Sequence, residues 1–407
     1  KNIKLVCVHK STAPPLPEGV IDFASIVNAN YGEQEIVSDM PSSATVLLPF
    51  SSGTTGRQKG VMLSHKAVGT QVNFCSDYMM GECIAGVGGD PGWHNNSVLL
   101  FLPFAHIFGF LKLAVGLHGG ALGVVLPKFE PVSFLSAIQE HKPALLFIVP
   151  PIAVFLAKHP VIDKFDLSSL KTIFVSAAPM GADVAAQLLT RIPSTKFVVQ
   201  GWGMTEVAGA ACFPILSADH VSSSIGVPGP HFEYKICDTE TGEMLPIGET
   251  GEIALRGPII MSGYYKNDEA TTEALREDGW LYSGDIGYCD ENGRAYVIDR
   301  KKELIKVKGT QVAPAELEDL LLSNKDIKDA AIIGVPDERR GELVCAFVVR
   351  GREDLTEQEV CDFVKGHVAD HKHITGGVRF VDAIPRTAAG KILRRVLREK
   401  LGHKHAI

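Results

Sequence analysis

No sustained run of one charge sign occurs in this chain, although it carries 40 basic and 47 acidic residues and a formal net charge of −7. That balance argues against a nucleic-acid partner, which would demand clustered Lys and Arg. No CxxC pair occurs among the eight cysteines, so neither a zinc ribbon nor a disulfide framework is expected, and a reducing compartment fits. No apolar stretch reaches membrane-span length; the greasiest window, residues 143–157, is cut by Pro150 and Pro151. Internal repeats and low-complexity tracts are absent as well. The chain opens at Lys1 without an initiator Met or a signal-like segment, so a targeting sequence or part of the fold is expected to precede it. Its last residues, His405-Ala406-Ile407, match no standard peroxisomal address. The expected location is intracellular, cytoplasmic or peroxisomal.

What is present is the composition of an ordinary globular protein, 45% hydrophobic and 21% charged. A length of 407 residues suggests two or three domains. Strand-like runs at 46–50, 98–102, 122–126, 144–149, 172–176 and 196–199 alternate with helix-like stretches at 64–80, 133–141 and 182–191. The alternation predicts an α/β layer with largely parallel sheets covered on both faces. After about Ser222 the texture changes to short strands at 234–237, 252–256 and 295–298, separated by turn dipeptides such as Asn292-Gly293. This predicts a small antiparallel, barrel-like subdomain over 222–299. A charged cluster at Arg300–Lys302 marks a second boundary, followed by a smaller α+β domain. There Pro314 sits just inside a helix, and Thr356-Glu357-Gln358-Glu359 reads as a capping box.

Four stretches carry chemistry. The first, Ser51-Ser52-Gly53-Thr54-Thr55-Gly56-Arg57-Gln58-Lys59-Gly60, follows an apolar run. Its glycines free the backbone, its hydroxyls and amides supply neutral donors, and Lys59 adds a cation, as a polyphosphate needs. It lacks the Gly-Lys-Ser/Thr of the common P-loop, and a plain Gly/Ser/Thr surface turn has the same composition. The second, Gln200-Gly201-Trp202-Gly203-Met204-Thr205-Glu206, stands at a predicted strand end, where open α/β sheets bind ligands. Glu206 can hold magnesium between phosphates, or be a solvated carboxylate on a glycine-rich turn. The third joins Tyr282-Ser283-Gly284-Asp285 to the basic run Arg300–Gly309. Asp285 can accept ribose hydroxyls and Arg300 can fork onto a phosphate; an edge-strand charge run is the competing reading. The fourth, Pro385-Arg386-Thr387-Ala388-Ala389-Gly390-Lys391, puts a lysine on a small-residue turn ahead of a basic helix, or caps that helix and nothing more.

Taken in order and spacing, SSGTTGRQKGV, GWGMTE, YSGD, DRKKELIKVKGTQVAPAELE and PRTAAGKILRR resemble the adenylate-forming superfamily, from about Ala44 to Leu397. That superfamily comprises acyl-CoA synthetases, coumarate–CoA ligases, firefly-type luciferases and carrier-protein adenylation domains; the resemblance is strongest to the coumarate–CoA and fatty-acyl-CoA ligases. It implies an AMP-binding N-terminal domain over 1–299, a hinge at 300–302 and a C-terminal lid over 303–407. It also implies an ATP-dependent acid–CoA ligase acting on a fatty or aromatic acid in two steps. A carboxylate attacks the α-phosphorus to give an acyl-adenylate and pyrophosphate, and coenzyme A then displaces AMP. Transfer to another acceptor, and a shortened inactive chain, are the alternatives.

The same resemblance distributes roles. Ser51, Ser52, Gly53, Thr54, Thr55, Gly56 and Lys59 would hold the β- and γ-phosphates. Gln200, Gly201 and Trp202 would line the adenine and acyl group, Thr205 would meet the α-phosphate, and Glu206 would bind Mg2+. Asp285 and Arg300 would take the ribose. Lys391 would bridge the reacting carboxylate and the α-phosphate, offsetting their mutual repulsion. Lys302 would be the hinge. In a second conformation Lys306, Lys308 and Gly309 would contact coenzyme A while Gln311 closes on the adenylate. His106, Phe108 and Ala178 would belong to the acyl pocket, with His106 as its gate. His106 in an apolar run also suits a satisfied core histidine, whereas His367, His371 and His373 read as surface residues. Two departures stand out. Fifty residues precede Ser51, fewer than such enzymes carry, and Phe108 replaces the tyrosine of several hydroxycinnamate-using relatives. A small-molecule acid is the expected partner, and oligomeric state is not legible.

Overall fold

The structure, a computed structural model, describes residues 5–7, 20–22, 25, 28–29, 40–51, 58–90, 92–217, 219–387 and 390–402. The chain forms two compact units, Lys1–Pro41 and Ser42–Ile407. In the first, β1 (Leu5–Cys7) and β2 (Val20–Asp22) pair in parallel, Leu5 opposite Val20. The Pro-rich patch at 13–17, residues 52–57 of the glycine-rich loop, Ala388-Ala389 and the terminal His405-Ala406-Ile407 lie outside the described residues.

The second unit opens with β3 (Thr45–Leu47), β4 (Phe50–Ser51) and β5 (Lys59–Ser64). The strand expected across 46–50 is divided because Pro49 has no N–H for a ladder; its carbonyl instead accepts from Val61 N at 2.8 Å. β5 runs antiparallel to both β3 and β4. Ser64 then starts helix α1 (His65–Tyr78), its side chain accepting from Ala67 N at 3.1 Å, a cap worth about 1 kcal/mol.

The expected alternation follows. β6 (Ser97–Leu100), α2 (Ile107–Gly119) and β7 (Leu122–Val125) form a parallel β–α–β unit. Next come α3 (Pro131–His141), β8 (Leu145–Ile148), α4 (Pro150–Lys158), β9 (Thr172–Val175), α5 (Ala182–Arg191) and β10 (Phe197–Gln200). β9 lies between β8 and β10, all parallel. Alternate residues serve two cores, as the period of two requires. Leu146, Ile148, Ile173, Val175 and Val198 pack in one cluster with α3, α4 and α5. Leu145, Phe147, Phe174 and Val199 pack in the other with α1 and α2.

β11 (Trp202–Met204), β12 (Gly209–Phe213) and β13 (Val227–Pro228) make a small antiparallel sheet. The β-rich segment supplies β14 (Glu233–Cys237), β15 (Gly251–Arg256), β16 (Gly263–Tyr264), helix α6 (Asp268–Ala274), β17 (Leu281–Cys289) and β18 (Ala295–Arg300). The barrel-like form expected here is an open sheet of order β14-β15-β17-β18. Four strands are too few to close around a side-chain-filled interior, and β16 leaves to pair with β5, Tyr264 opposite Val61.

From Glu303 onward the chain builds another sheet. Its elements are β19 (Ile305–Val307), β20 (Thr310–Val312), α7 (Pro314–Ser323), β21 (Ile327–Asp337), β22 (Gly341–Arg350), α8 (Glu357–Lys365), β23 (Val378–Phe380) and α9 (Arg394–Gly402). α7 begins at Pro314 as expected. The capping box is formed, with Glu359 N donating to Thr356 Oγ1 at 3.2 Å and Thr356 N to Glu359 Oε2 at 2.8 Å. Ile332, Val344, Ala346 and Val378 give this sheet a core of its own. Among the described residues no helix is long and apolar enough to cross a membrane.

Candidate active site

A cleft of about 950 Å³ opens within the second unit, lined by residues from Leu47 to Lys391. Ser51 and Lys59 line it from the β4–β5 hairpin, His106 from the start of α2, and Thr205 and Glu206 from the turn between β11 and β12. Arg300 and Lys302 close one side and Lys391 another. Residues far apart in sequence thus share one solvent-accessible volume.

Ser51 Oγ is buried and, among the described residues, has no hydrogen-bond partner. A buried hydroxyl in that state is costly unless something in the cleft engages it. Lys59 Nζ lies 4.9 Å from the centre of the Tyr264 ring. The hydroxyl of that tyrosine donates to Glu206 Oε1 at 2.8 Å, so Tyr264 supports both a cation and an anion of the cleft. Glu206 and Thr205 are themselves buried, on a single helical turn ended by Ala208 at φ 55°. Among the described residues no group of three or more His, Cys, Asp or Glu could cage a metal. A lone carboxylate suits magnesium where a bound ligand supplies phosphate oxygens, because that ion keeps waters and phosphate oxygens as its other ligands.

His106 is the N-cap of α2, its Nδ1 accepting from Phe108 N at 3.2 Å. Burial, with the Lys391 ammonium second, pushes the imidazole down to about 4. The ring is therefore neutral near pH 7, and since Nδ1 is an acceptor, its proton sits on Nε2.

Lys391 is held by its own loop. Thr387 N donates to Lys391 O at 2.8 Å, Lys391 N to Thr387 Oγ1 at 3.2 Å, and Arg386 ties the turn to Asp329 at 2.8 Å. Gly390, at φ 84°, lies so close to Val149 that an added Cβ would stand 3.2 Å from it, which seats the turn on the strand–helix junction at β8–α4. Burial is the main force lowering the Lys391 ammonium, to about 8; Arg300 adds to it, while Asp285, Glu206 and Glu303 oppose it. At pH 7 it remains mostly charged.

The other expected residues divide. Trp202 Nε1 donates to Asp285 Oδ2 at 2.8 Å and Arg300 Nε approaches Oδ1 at 3.4 Å, so Asp285 is already oriented by both neighbours. Gly201 leaves no space for a side chain, since an added Cβ would meet Phe174 at 2.1 Å. Gln200 points away from the cleft: its Oε1 accepts from Met180 N and its Nε2 donates to Ser222 O, both at 2.9 Å. Neither it nor Gly201, Trp202, Ala178 or Asp285 lines the cleft, although Ser283, Gly284 and Arg300 beside Asp285 do. Lys306, Lys308, Gly309 and Gln311 lie on the exposed β19–β20 hairpin, also outside the cleft. Lys308 at φ 51° and Gly309 at φ 83° give its two-residue turn the positive dihedrals such hairpins need. Lys302 is exposed, 3.6 Å from Glu273.

Beneath the cleft a pocket of about 50 Å³ is lined by His106, Phe108, Phe174, Gly203, Lys391 and Lys112. Sequence reasoning missed Tyr264 and Lys112. No local pattern marks Tyr264, whose role comes from the β16–β5 pairing. Lys112 did leave a signal, a single charge inside the otherwise apolar run Phe108–Leu117.

A mixed α/β platform, a C-terminal segment whose loop contributes Lys391, and a cleft lined with cations and a carboxylate together are the features of an adenylate-forming enzyme. The AMP-binding enzyme family matches residues 5–265 and the AMP-binding enzyme C-terminal domain matches 316–391. The chain is 44% identical over 387 residues to a probable 4-coumarate–CoA ligase 1 of Dictyostelium discoideum, covering 93% of this chain and 68% of that protein. It is 41% identical to 4-coumarate–CoA ligase 2 of Nicotiana tabacum, covering 98% and 72% respectively. The ATP-bound crystal structure of MatB from Rhodopseudomonas palustris superposes with a TM-score of 0.81 at 28% identity, covering 93% of this chain and 72% of that one. This chain belongs to the AMP-binding enzyme family, among its ATP-dependent, AMP-forming acid–thiol ligases, whose co-substrate is coenzyme A.

Proposed function

We propose that this ligase activates an aromatic or fatty carboxylic acid seated in the pocket beside His106, and that residues in and behind the cleft divide the work as follows. The hairpin bearing Ser51 and Lys59 holds the β- and γ-phosphates of ATP. Glu206, oriented by Tyr264, would hold magnesium, which when bound offsets phosphate charge. Thr205 donates toward the α-phosphate. Asp285, steadied by Trp202 and Arg300, accepts from the ribose hydroxyls. Gln200 and Gly201 act from behind the wall, Gln200 by tying Met180 N to Ser222 O and Gly201 by leaving room for Phe174.

In the first step a substrate carboxylate oxygen bonds to the α-phosphorus and the bond to the β-phosphate bridging oxygen breaks, releasing pyrophosphate. Both reactants are anionic, so the Lys391 ammonium between them lowers the barrier by neutralising charge where it accumulates. No protein nucleophile is needed; positioning and charge supply the catalysis. In the second step the thiolate of coenzyme A attacks the acyl carbon, the carbon–sulfur bond forms, and AMP leaves. Lys391 lines the cleft while the β19–β20 hairpin stands outside it. The segment from residue 303 onward is therefore a lid turning about Lys302, which withdraws Lys391 and brings in Lys306, Lys308, Gly309 and Gln311.

The observation that carries this reading is the convergence of Lys391, Glu206, Thr205 and His106 on a single cleft. Pyrophosphate release across a panel of aromatic and fatty acids, with and without coenzyme A, tests it. The expected result is release that depends on an acid, followed by a thioester when coenzyme A is present. Release without any thioester would sink it.

A further inference from the structure

The pocket below His106 contains a charge that the proposed chemistry does not use. Helix α2 presents Phe108, Leu111 and Lys112 to that pocket, the i, i+3, i+4 spacing that puts them on one face. Lys112 is only 3% exposed. Among the described residues its ammonium has no hydrogen-bond acceptor and no ion pair. It lies over three aromatic faces instead, 3.9 Å from the centre of Phe147, 4.9 Å from Phe108 and 5.3 Å from Phe174. Ring faces attract a cation but accept none of its N–H bonds in the way an oxygen does, so three donors are left wanting an acceptor in a largely apolar setting.

The titratable groups nearby do not provide a countercharge. Burial pushes the Cys75 thiol up to about 11 and the Cys83 thiol to about 12, so both are neutral near pH 7. Burial also lowers the Lys112 ammonium itself, to about 8, which still leaves it mostly charged at pH 7. The pocket thus has two cationic residues in its lining, Lys391 and Lys112. His106, at the head of the helix, and Lys112 are six positions apart, a rise of about 9 Å along the axis.

Resting on the reading of this pocket as the acyl site, we propose that Lys112 is a specificity-determining residue, selecting acids that carry an oxygen acceptor at the end remote from the reacting carboxylate. An anionic oxygen, such as a second carboxylate, meets the ammonium better than a neutral hydroxyl does, because an unpaired carboxylate would be strongly disfavoured in this pocket and Lys112 supplies its partner. The reacting carboxylate faces Lys391 and the distal oxygen faces Lys112, both in the lining of the same small pocket. Phe108, which brings no hydroxyl of its own, contributes the apolar wall between.

The test is a matched series: 3-phenylpropanoate, its para-hydroxy derivative and its para-carboxy derivative, assayed by pyrophosphate release with the full chain and with Lys112→Met. The expected order of kcat/KM in the unmodified enzyme is carboxy, then hydroxy, then unsubstituted, with at least about tenfold between the extremes. In Lys112→Met the carboxy-to-unsubstituted ratio should fall at least about tenfold, a shift that a merely structural role would not produce because it would lower all three together. An unmodified enzyme that prefers the unsubstituted acid, or a ratio identical in the two proteins, overturns the proposal. The same three tails built into acyl-sulfamoyl adenosines give a binding readout that needs no turnover. Absence of release with every acid counts against the ligase reading, while tail preference in binding still decides the role of Lys112. Should Lys112→Met fail to fold, the order of preference in the unmodified chain decides it.

Discussion

The phenol of Tyr264 donates to Glu206 Oε1 at 2.8 Å while its ring lies 4.9 Å beneath Lys59 Nζ. One side chain therefore orients the proposed metal-binding carboxylate and backs the proposed phosphate-binding cation. Tyr264→Phe keeps the ring and removes the hydroxyl. A hydrogen bond to a charged group contributes about 1.5–3 kcal/mol, so acid-dependent pyrophosphate release should fall about tenfold or more and need more magnesium for half-saturation. A magnesium titration of both proteins checks this, and superimposable curves would remove Tyr264 from the site.

The pH profile of adenylation should have one limb over the working range. Burial holds Lys391 at about 8, so the ammonium loses its proton as pH rises through that value, and the rate of pyrophosphate release should fall above it. Below it the rate should be level down to about pH 5, because His106, held near 4 by burial, stays neutral there. Thioester formation from supplied acyl-adenylate should lack the limb. Lys391→Ala should cripple the first step and largely spare the second; equal loss of both would count against the division of labour.

Gly201→Ala tests how tightly the wall behind the site is packed. The new methyl would stand 2.1 Å from the Phe174 ring, and overpacking of this kind costs about 1–3 kcal/mol. The melting temperature should drop by several degrees, with a loss of kcat/KM as Phe174 is displaced toward the pocket. A melt unchanged from the parent would mean that β9 and β10 yield more easily than their burial implies.

Lys302→Pro addresses the turn proposed as the hinge. Proline holds φ near −65° and removes an N–H, so a residue that must change dihedral between steps is restrained. Thioester formation should slow at least about tenfold, some 1.4 kcal/mol of barrier, with pyrophosphate release much less affected. Parallel assays of the two half-reactions measure it, and equal effects would place the pivot elsewhere.

Much of this architecture was legible because the local signals agree with it. The strands at 145–148, 172–175 and 197–200 are short apolar runs, and their alternate residues feed two separate cores. The helix start at Thr356 carries its cap in its own residues, and the one at Pro314 is marked by the proline itself. The break at Pro49 was less visible, because residues 46–50 form an apolar run and the missing N–H matters only once Val61 is placed opposite. The open sheet from 233 to 300 was harder still. Turn dipeptides mark where strands end but not which neighbour each strand chooses, and β16 chooses β5, some 200 residues earlier.

Residue types and their order determined the kind of site: a glycine- and hydroxyl-rich turn before Lys59, a carboxylate at Glu206, a cation at Lys391. These follow from chemistry that phosphates impose on any backbone. Tertiary structure alone decided the partnerships. It put the Tyr264 hydroxyl on Glu206 and the Trp202 indole on Asp285, and turned the Gln200 amide outward to Met180 and Ser222. It also buried Lys112 among three rings. Each of these depends on the packing of segments distant in sequence, and a hydrogen bond a few tenths of an ångström too long is not formed at all.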